Sequence, residues 1–124
     1  MVTKELKDNL LNKVSKKEGY FPIESDVEYY YAAGQCISFM CYRYTNINKG
    51  LNKDLVSKQT MLSENYTDLK KRIKMLFGKC SNMLYQEDKK FNNCLAAIMG
   101  YIPECNNINV DALQLGYLEN NILK

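Results

Sequence analysis

Apolar residues recur at helical spacing along most of the chain, and no stretch alternates apolar and polar positions as a half-buried strand would. The first apolar stripe predicts an amphipathic helix over residues 3–17, with lysines on the opposite side and Gly19 and Pro22 beyond its end. The stripe consists of Leu6, Leu10, Leu11 and Val14.

The second helical stretch is apolar on every side, which is unusual for a helix with one solvent-facing surface. Ser25 is its predicted N-cap, because Glu28 lies three residues further on in a capping-box pattern. The helix is expected to run to about Arg43. A helix with this pattern is enclosed by its neighbours, and Gly34 permits another backbone to approach closely.

One stripe of hydrogen-bonding side chains interrupts this apolar helix. Its members are Tyr31, Gln35, Ser38 and Tyr42, together with the small residue Gly34 beside them. We predict that they pack against other helices, with their polar ends satisfied inside or at the rim of the core. Direct contact with nucleic acid is the alternative interpretation.

Later segments predict further helices: a short one over 53–61, a longer one from Ser63 or Asn65 to about Tyr85, one over 89–99, and one from an Asn109 cap to about Leu118. The fold class is therefore all-α, a compact bundle of five to six helices. The bundle domain is expected to cover residues 23–124. The sequence leaves open whether the N-terminal helix, within 1–22, packs on it or is loosely attached.

The composition narrows the function classes. The N terminus is too charged for a signal peptide and no apolar run is long enough to span a membrane, so we expect a cytoplasmic protein. Five cysteines without a C-x-x-C motif are expected to be small buried hydrophobes, with a free reactive thiol as the alternative. The chain has no histidine, the usual base and metal ligand near neutral pH, so we expect no enzyme, metal site or cofactor.

Positive charge is concentrated in the middle of the chain. Residues 43–90 hold eleven lysines and arginines against five acids, a net charge of +6, whereas residues 1–42 and 91–124 carry −1 and −2. Such a surface commonly binds a polyanion, because each neutralised phosphate releases counterions. A solvated helix face with no partner would produce the same pattern.

These cations can form a basic strip along a sugar-phosphate backbone, which would position the protein without reading base sequence. On the helix around residues 67–80, Lys70, Lys71 and Lys74 are expected to point away from the apolar stripe. The candidate nucleic-acid-binding residues are Arg43, Lys49, Lys53, Lys58, Lys70, Lys71, Lys74, Lys89 and Lys90.

Four segments, in this order, resemble the C-terminal helical region of type I-B CRISPR large subunits, which also exists as a separate small subunit of the Cascade surveillance complex. The segments are EYYYAAGQ, LKKRIKMLFGKC, KKFNNCLAAIMGYIP and LQLGYLENNIL. The similarity covers roughly residues 24–122 and is strongest over 30–35 and 91–103. The matching residues are of the helix-packing kind, with no catalytic signature.

The resemblance implies a non-catalytic helical bundle, present in more than one copy, that lies against the crRNA-bound backbone filament and the large subunit. There it would help to hold the crRNA–target DNA heteroduplex or the displaced non-target single strand. It also implies a free small subunit made by internal translation; an excised domain of the large subunit would look identical. A helical protein-interaction module without a nucleic-acid role is the alternative function.

Overall fold

In a computed structural model that describes residues 1–16, 21–44, 65–80 and 89–123, the regular secondary structure is helical. The side chains of 42–44 and 79–80 are outside this description. The helices are α1 (Lys4–Val14), α2 (Asp26–Tyr44), α3 (Tyr66–Cys80), α4 (Lys89–Gly100) and α5 (Val110–Glu119). The predicted all-α bundle is confirmed. The helix predicted over 53–61, and the predicted continuation of α3 past residue 80, lie outside the described residues.

Helices α3 and α5 begin at capping residues that the sequence predicts. The Asn65 side chain accepts a hydrogen bond from the Asp68 backbone N–H at 3.1 Å, so Asn65 rather than Ser63 begins α3. The Asn109 side chain accepts from Ala112 N at 3.1 Å and caps α5. Each of these bonds satisfies one of the backbone donors that a helix start leaves unpaired.

The capping box before α2 forms only in part. Ser25 Oγ accepts from Glu28 N at 3.2 Å, as predicted, but the Glu28 carboxylate accepts from Glu24 N at 3.2 Å instead of Ser25 N. The same carboxylate also binds Lys13 Nζ at 3.0 and 3.1 Å. Glu28 therefore joins α1 to the start of α2 as well as ordering the turn that precedes α2.

Helix α2 lies at the centre of the bundle. Every residue from 28 to 41 is buried, and α2 contacts each of the other four described helices, α5 most extensively. This explains the apolar residues around its whole circumference, because no side of the helix faces water. The predicted enclosure of this segment is confirmed.

Helices α2 and α5 cross at two glycines. A Cβ placed on Gly34 would lie 2.2 Å from the Leu113 carbonyl oxygen, and one placed on Gly116 would lie 2.2 Å from the Tyr31 carbonyl oxygen. Both obstacles are main-chain atoms, which cannot rotate away as a side chain can. The close backbone approach predicted at Gly34 is confirmed, and its partner is Gly116.

Helix α1 packs on the bundle, which the sequence left open. Leu10 and Val14 are fully buried in the common core. Lys7 Nζ forms an ion pair with Glu119 at the end of α5, at 2.7 Å. Asn93 Nδ2 in α4 donates to the carbonyl of Val14, at 3.0 Å, and so satisfies an acceptor at the C-terminal end of α1.

The described cysteines divide into two groups. Cys36, Cys41 and Cys94 are buried in the core, as predicted, whereas Cys105 is exposed. Their burial fits the tendency of free cysteine to act as a small hydrophobe. No helix within the described ranges is both long and apolar enough to cross a lipid bilayer.

Candidate nucleic-acid interface

Helix α3 presents one apolar face to the core and one charged face to the outside. Leu69, Ile73 and Leu76 are buried, and their spacing of three and four residues places them on one side. Lys71 and Lys74 are exposed on the other side, as the sequence predicted. The apolar stripe and these two lysines therefore lie on opposite sides of the helix.

The exposed face of α3 combines cations with an apolar side chain. Lys71, Arg72, Asp68 and Met75 line a shallow hollow of about 390 Å³. Arg72 is half-buried, whereas Met75 is 54% exposed. Within the described part of the chain, Lys71 and Lys74 form no ion pair with a carboxylate. Both ammonium groups can therefore bind an external anion without breaking an ion pair to any of the described residues.

Lys70 does not share this exposed face, and the expectation that it points away from the core is wrong. It is half-buried, and its ammonium donates to the carbonyls of Met99, at 3.4 Å, and of Tyr101. Burial lowers the pKa of Lys70, and the charge of Lys74 lowers it further. A residue only one position from Lys71 therefore has a different, internal environment.

The lysines at the start of α4 lie near the far end of α3. The rings of Phe77, late in α3, and Phe91, early in α4, stack with centroids 6.5 Å apart. Lys70, early in α3, contacts the last turn of α4. The two helices therefore run antiparallel. Lys89 is exposed at this end, and Lys90 is half-buried and makes a contact of its own. Lys89 is thus the better placed of the two to extend the charged face.

The remaining candidate cations are not covered by the structure. The side chain of Arg43 and all of Lys49, Lys53 and Lys58 lie outside the described residues. Whether they converge with the α3 face stays a prediction. The Tyr29 side chain is fully buried, and its ring stacks on that of Tyr101 with centroids 5.4 Å apart, so it cannot stack on a base without leaving the core.

The polar stripe of α2 is part of the helix packing, as predicted for Tyr31 and Gln35. Gln35 Nε2 donates to the Gly116 carbonyl at 2.8 Å, and Gln35 Oε1 accepts from Ile122 N at 3.1 Å. Tyr31 Oη donates to Glu119 Oε1 at 2.8 Å. Tyr31 and Gln35 thus hold α5 and the segment after it, and these two side chains are not available to a nucleic acid.

Glu119 links this stripe to α1. Its carboxylate binds the Lys7 ammonium through Oε2 and the Tyr31 hydroxyl through Oε1. Burial acts to raise the pKa of Glu119, but the hydrogen bonds from Lys7 and Tyr31 outweigh it and leave this pKa below its usual value. Burial raises the pKa of Tyr31, and the hydrogen bond to Glu119 raises it further.

Ser38 differs from its neighbours in the stripe. Its hydroxyl is fully buried and has no hydrogen-bond partner among the described residues, and the same holds for the hydroxyls of Tyr29 and Tyr30. Burial raises the pKa of Tyr30 to about 12. The predicted satisfaction of the stripe therefore holds for Tyr31 and Gln35 but is not seen for Ser38. The side chain of Tyr42 lies outside the described residues.

Sequence reasoning missed the role of Asp26. The Asp26 carboxylate accepts from the Tyr101 hydroxyl at 2.8 Å and from the backbone N–H groups of Glu104 and Cys105 at 2.9 and 3.0 Å. Burial acts to raise the pKa of Asp26, but these hydrogen bonds lower it overall. No local signal marks this role, because the partners are more than seventy residues away in the chain.

Comparisons with known proteins identify no relative of this chain: no protein-family model, no curated protein and no solved structure matches it.

Proposed function

We propose that this protein is a non-catalytic small subunit of a type I-B CRISPR Cascade complex, an RNA-guided DNA surveillance assembly. In it, the protein would support the crRNA–target heteroduplex or the displaced non-target strand through backbone contacts that do not depend on base sequence. The four segments that resemble the C-terminal helical region of the large subunits support this proposal. So does the all-α bundle, the fold class that the resemblance implies.

The observation that carries the proposal is the outward face of α3. Lys71 and Lys74 are exposed, and Arg72 lines the hollow beside Lys71. Ammonium and guanidinium groups at such positions suit phosphate oxygens, which are strong hydrogen-bond acceptors. Three cations permit only a few phosphate contacts, so binding by the isolated chain should be weak and salt-sensitive, and neighbouring subunits should strengthen it.

The test is a double charge reversal, Lys71→Glu with Lys74→Glu. We expect affinity for a single-stranded oligonucleotide to fall by on the order of tenfold or more, because two phosphate contacts become repulsive. Fluorescence anisotropy over a range of salt concentrations measures this for the chain alone. A DNA-binding assay with the assembled complex measures the corresponding loss of R-loop stability.

A matched control is available at the two ends of α1, where Lys4, its first residue, and Lys16, just beyond its C-cap, are also exposed. The double variant Lys4→Glu with Lys16→Glu has the same net charge as the α3 variant. A local contact surface predicts loss of binding only for the α3 variant. Equal loss in both variants, or none in either, would exclude α3 as the phosphate-binding face.

A protein-interaction module without a nucleic-acid role is the second candidate. Large apolar side chains at the surface favour it, since Met75, Ile102 and Leu118 are 54%, 71% and 68% exposed. Apolar anchors of this kind are common at the centres of protein interfaces. Absence of oligonucleotide binding at every salt concentration, alone and in the complex, would favour this second function.

A further inference from the structure

Lys70 occupies a built internal site between α3 and the end of α4. Its ammonium donates to the carbonyls of Met99 and Tyr101, which flank the last residue of α4. It also lies 5.8 Å from the centroid of the Tyr29 ring, on α2. Carbonyls at a helix C terminus carry partial negative charge and lack intrahelical donors, so a cation stabilises them.

The segment that Lys70 contacts is fixed at several further points. The Tyr101 ring stacks on Tyr29, and its hydroxyl donates to Asp26. The same carboxylate holds the next part of the segment through the Glu104 and Cys105 N–H groups. The segment is therefore a well-ordered support for α3 and not a loose connection.

A second contact ties the start of α3 to this segment. Asn65, the N-cap of α3, forms an antiparallel bridge with Asn107. Contacts at Asn65 and at Lys70 are more than one helical turn apart, so together they fix both the position of α3 and its rotation about its own axis. That rotation decides whether Lys71 and Lys74 point outward.

We propose that Lys70 is a positioning residue for the phosphate-facing surface: it holds α3 in the rotation that exposes Lys71 and Lys74, and it does not itself bind phosphate. This inference rests on the proposed function. Lys70 has three N–H donors, of which two point at carbonyls while the cation also faces an aromatic ring. Contact with a phosphate would require Lys70 to leave these partners.

The experiment compares Lys70→Met with Lys71→Met, its neighbour on the exposed face. Each variant removes one ammonium and keeps a long apolar side chain, so the net charge changes equally. Anisotropy with a fluorescein-labelled oligothymidylate of about twenty nucleotides gives affinity against salt concentration for each. Hydrogen exchange followed by NMR gives the protection of the Glu104 and Cys105 amides.

For Lys71→Met we expect the slope of log affinity against log salt to become shallower by about 0.7, the value for one lost contact to a single strand. For Lys70→Met we expect the wild-type slope with lower affinity at every salt concentration. Its Glu104 and Cys105 amides should exchange about tenfold faster relative to the amides of α2, because charge-assisted hydrogen bonds to the segment are lost. Lys70→Arg, which keeps a cation and its donors, should restore much of this protection.

A slope change in Lys70→Met equal to that of Lys71→Met, with unchanged exchange at Glu104 and Cys105, would make Lys70 a phosphate ligand and overturn the inference. If Lys70→Met bound the oligonucleotide as tightly as the wild type at every salt concentration, Lys70 would not position the phosphate-facing surface, and the inference would equally be overturned. If the wild-type chain and complex bind no oligonucleotide, the proposed function fails. The exchange measurement would then still report whether Lys70 orders the segment.

Discussion

Replacing Gly34 by alanine tests whether the α2–α5 crossing requires a position without a side chain. The new Cβ would lie 2.2 Å from the Leu113 carbonyl oxygen and 2.7 Å from Tyr117 N. An ordinary contact begins at 3.4 Å, so the two backbones would have to separate by about 1.2 Å. Because both obstacles are main-chain atoms, no side-chain rotation can relieve the clash.

The expected loss of stability follows from these contacts. Overpacking of a tight core costs about 1–3 kcal/mol. Separating the helices also stretches the buried hydrogen bond from Gln35 to the Gly116 carbonyl, now 2.8 Å, and a buried polar group without its partner costs about 1–3 kcal/mol. The better helix propensity of alanine offsets about 1 kcal/mol of this. We therefore expect Gly34→Ala to lower the free energy of unfolding by about 1–5 kcal/mol.

Urea unfolding followed by circular dichroism measures this difference, and Gly78→Ala is the matched control. Gly78 lies within α3, and an added Cβ there would meet no described atom within 4 Å. The control should therefore gain up to about 1 kcal/mol from helix propensity alone. If Gly34→Ala were as stable as Gly78→Ala, the backbone contact between α2 and α5 would not be as tight as described.

The remaining predictions concern carboxylates and the junction of α1 with α4. The pKa values of Asp26 and Glu119 are lower in the folded protein than their ordinary values. The two carboxylates therefore stabilise the fold at any pH above the ordinary carboxyl pKa. This stabilisation is lost as the pH falls through the pKa of the folded state. The urea concentration at the unfolding midpoint should thus fall more steeply between about pH 5 and pH 3 in the wild type than in the Asp26→Asn, Glu119→Gln double variant. An equal fall of the midpoint in the two proteins would contradict this. Asn93→Ala should cost about 1–2 kcal/mol, because it removes the donors to Val14 and Lys16, whereas the exposed Asn92→Ala should change stability by less than about 0.5 kcal/mol. Equal effects of the two asparagine variants would show that Asn93 does not hold α1.

The bundle could be predicted from the sequence because its determinants are local. Asn65 and Asn109 cap helices through residues three positions away, and the stripe of Leu69, Ile73 and Leu76 repeats within two turns. The central position of α2 was equally visible, since a helix without a polar side has no surface to offer water. Each of these features depends on the order of neighbouring residues and not on which helices meet.

The contacts that orient side chains could not be predicted in this way. Asp26 binds backbone groups of residues 104 and 105, and Asn93 binds the end of α1, at separations of more than seventy residues. Nothing near either residue in the chain indicates such a partner. Gly34 could be identified from the sequence as a point of close approach. Its partner Gly116 could not, because the pairing depends on how α5 packs against α2.

The net charge of a sequence segment consequently does not give the number of cationic side chains that a ligand can contact. The net charge of +6 over residues 43–90 includes Lys70, whose ammonium is held by two carbonyls inside the bundle. Among the α3 side chains that the structure describes, Lys71, Arg72 and Lys74 remain, and three phosphate contacts to a single strand correspond to a salt slope of about −2. A wild-type slope near this value would locate the contact on α3 alone. A much steeper slope would require further candidate cations, such as Lys89, Lys49 or Lys53, to lie on the same side of the bundle. The slope therefore tests whether the positive charge of this segment converges on one surface.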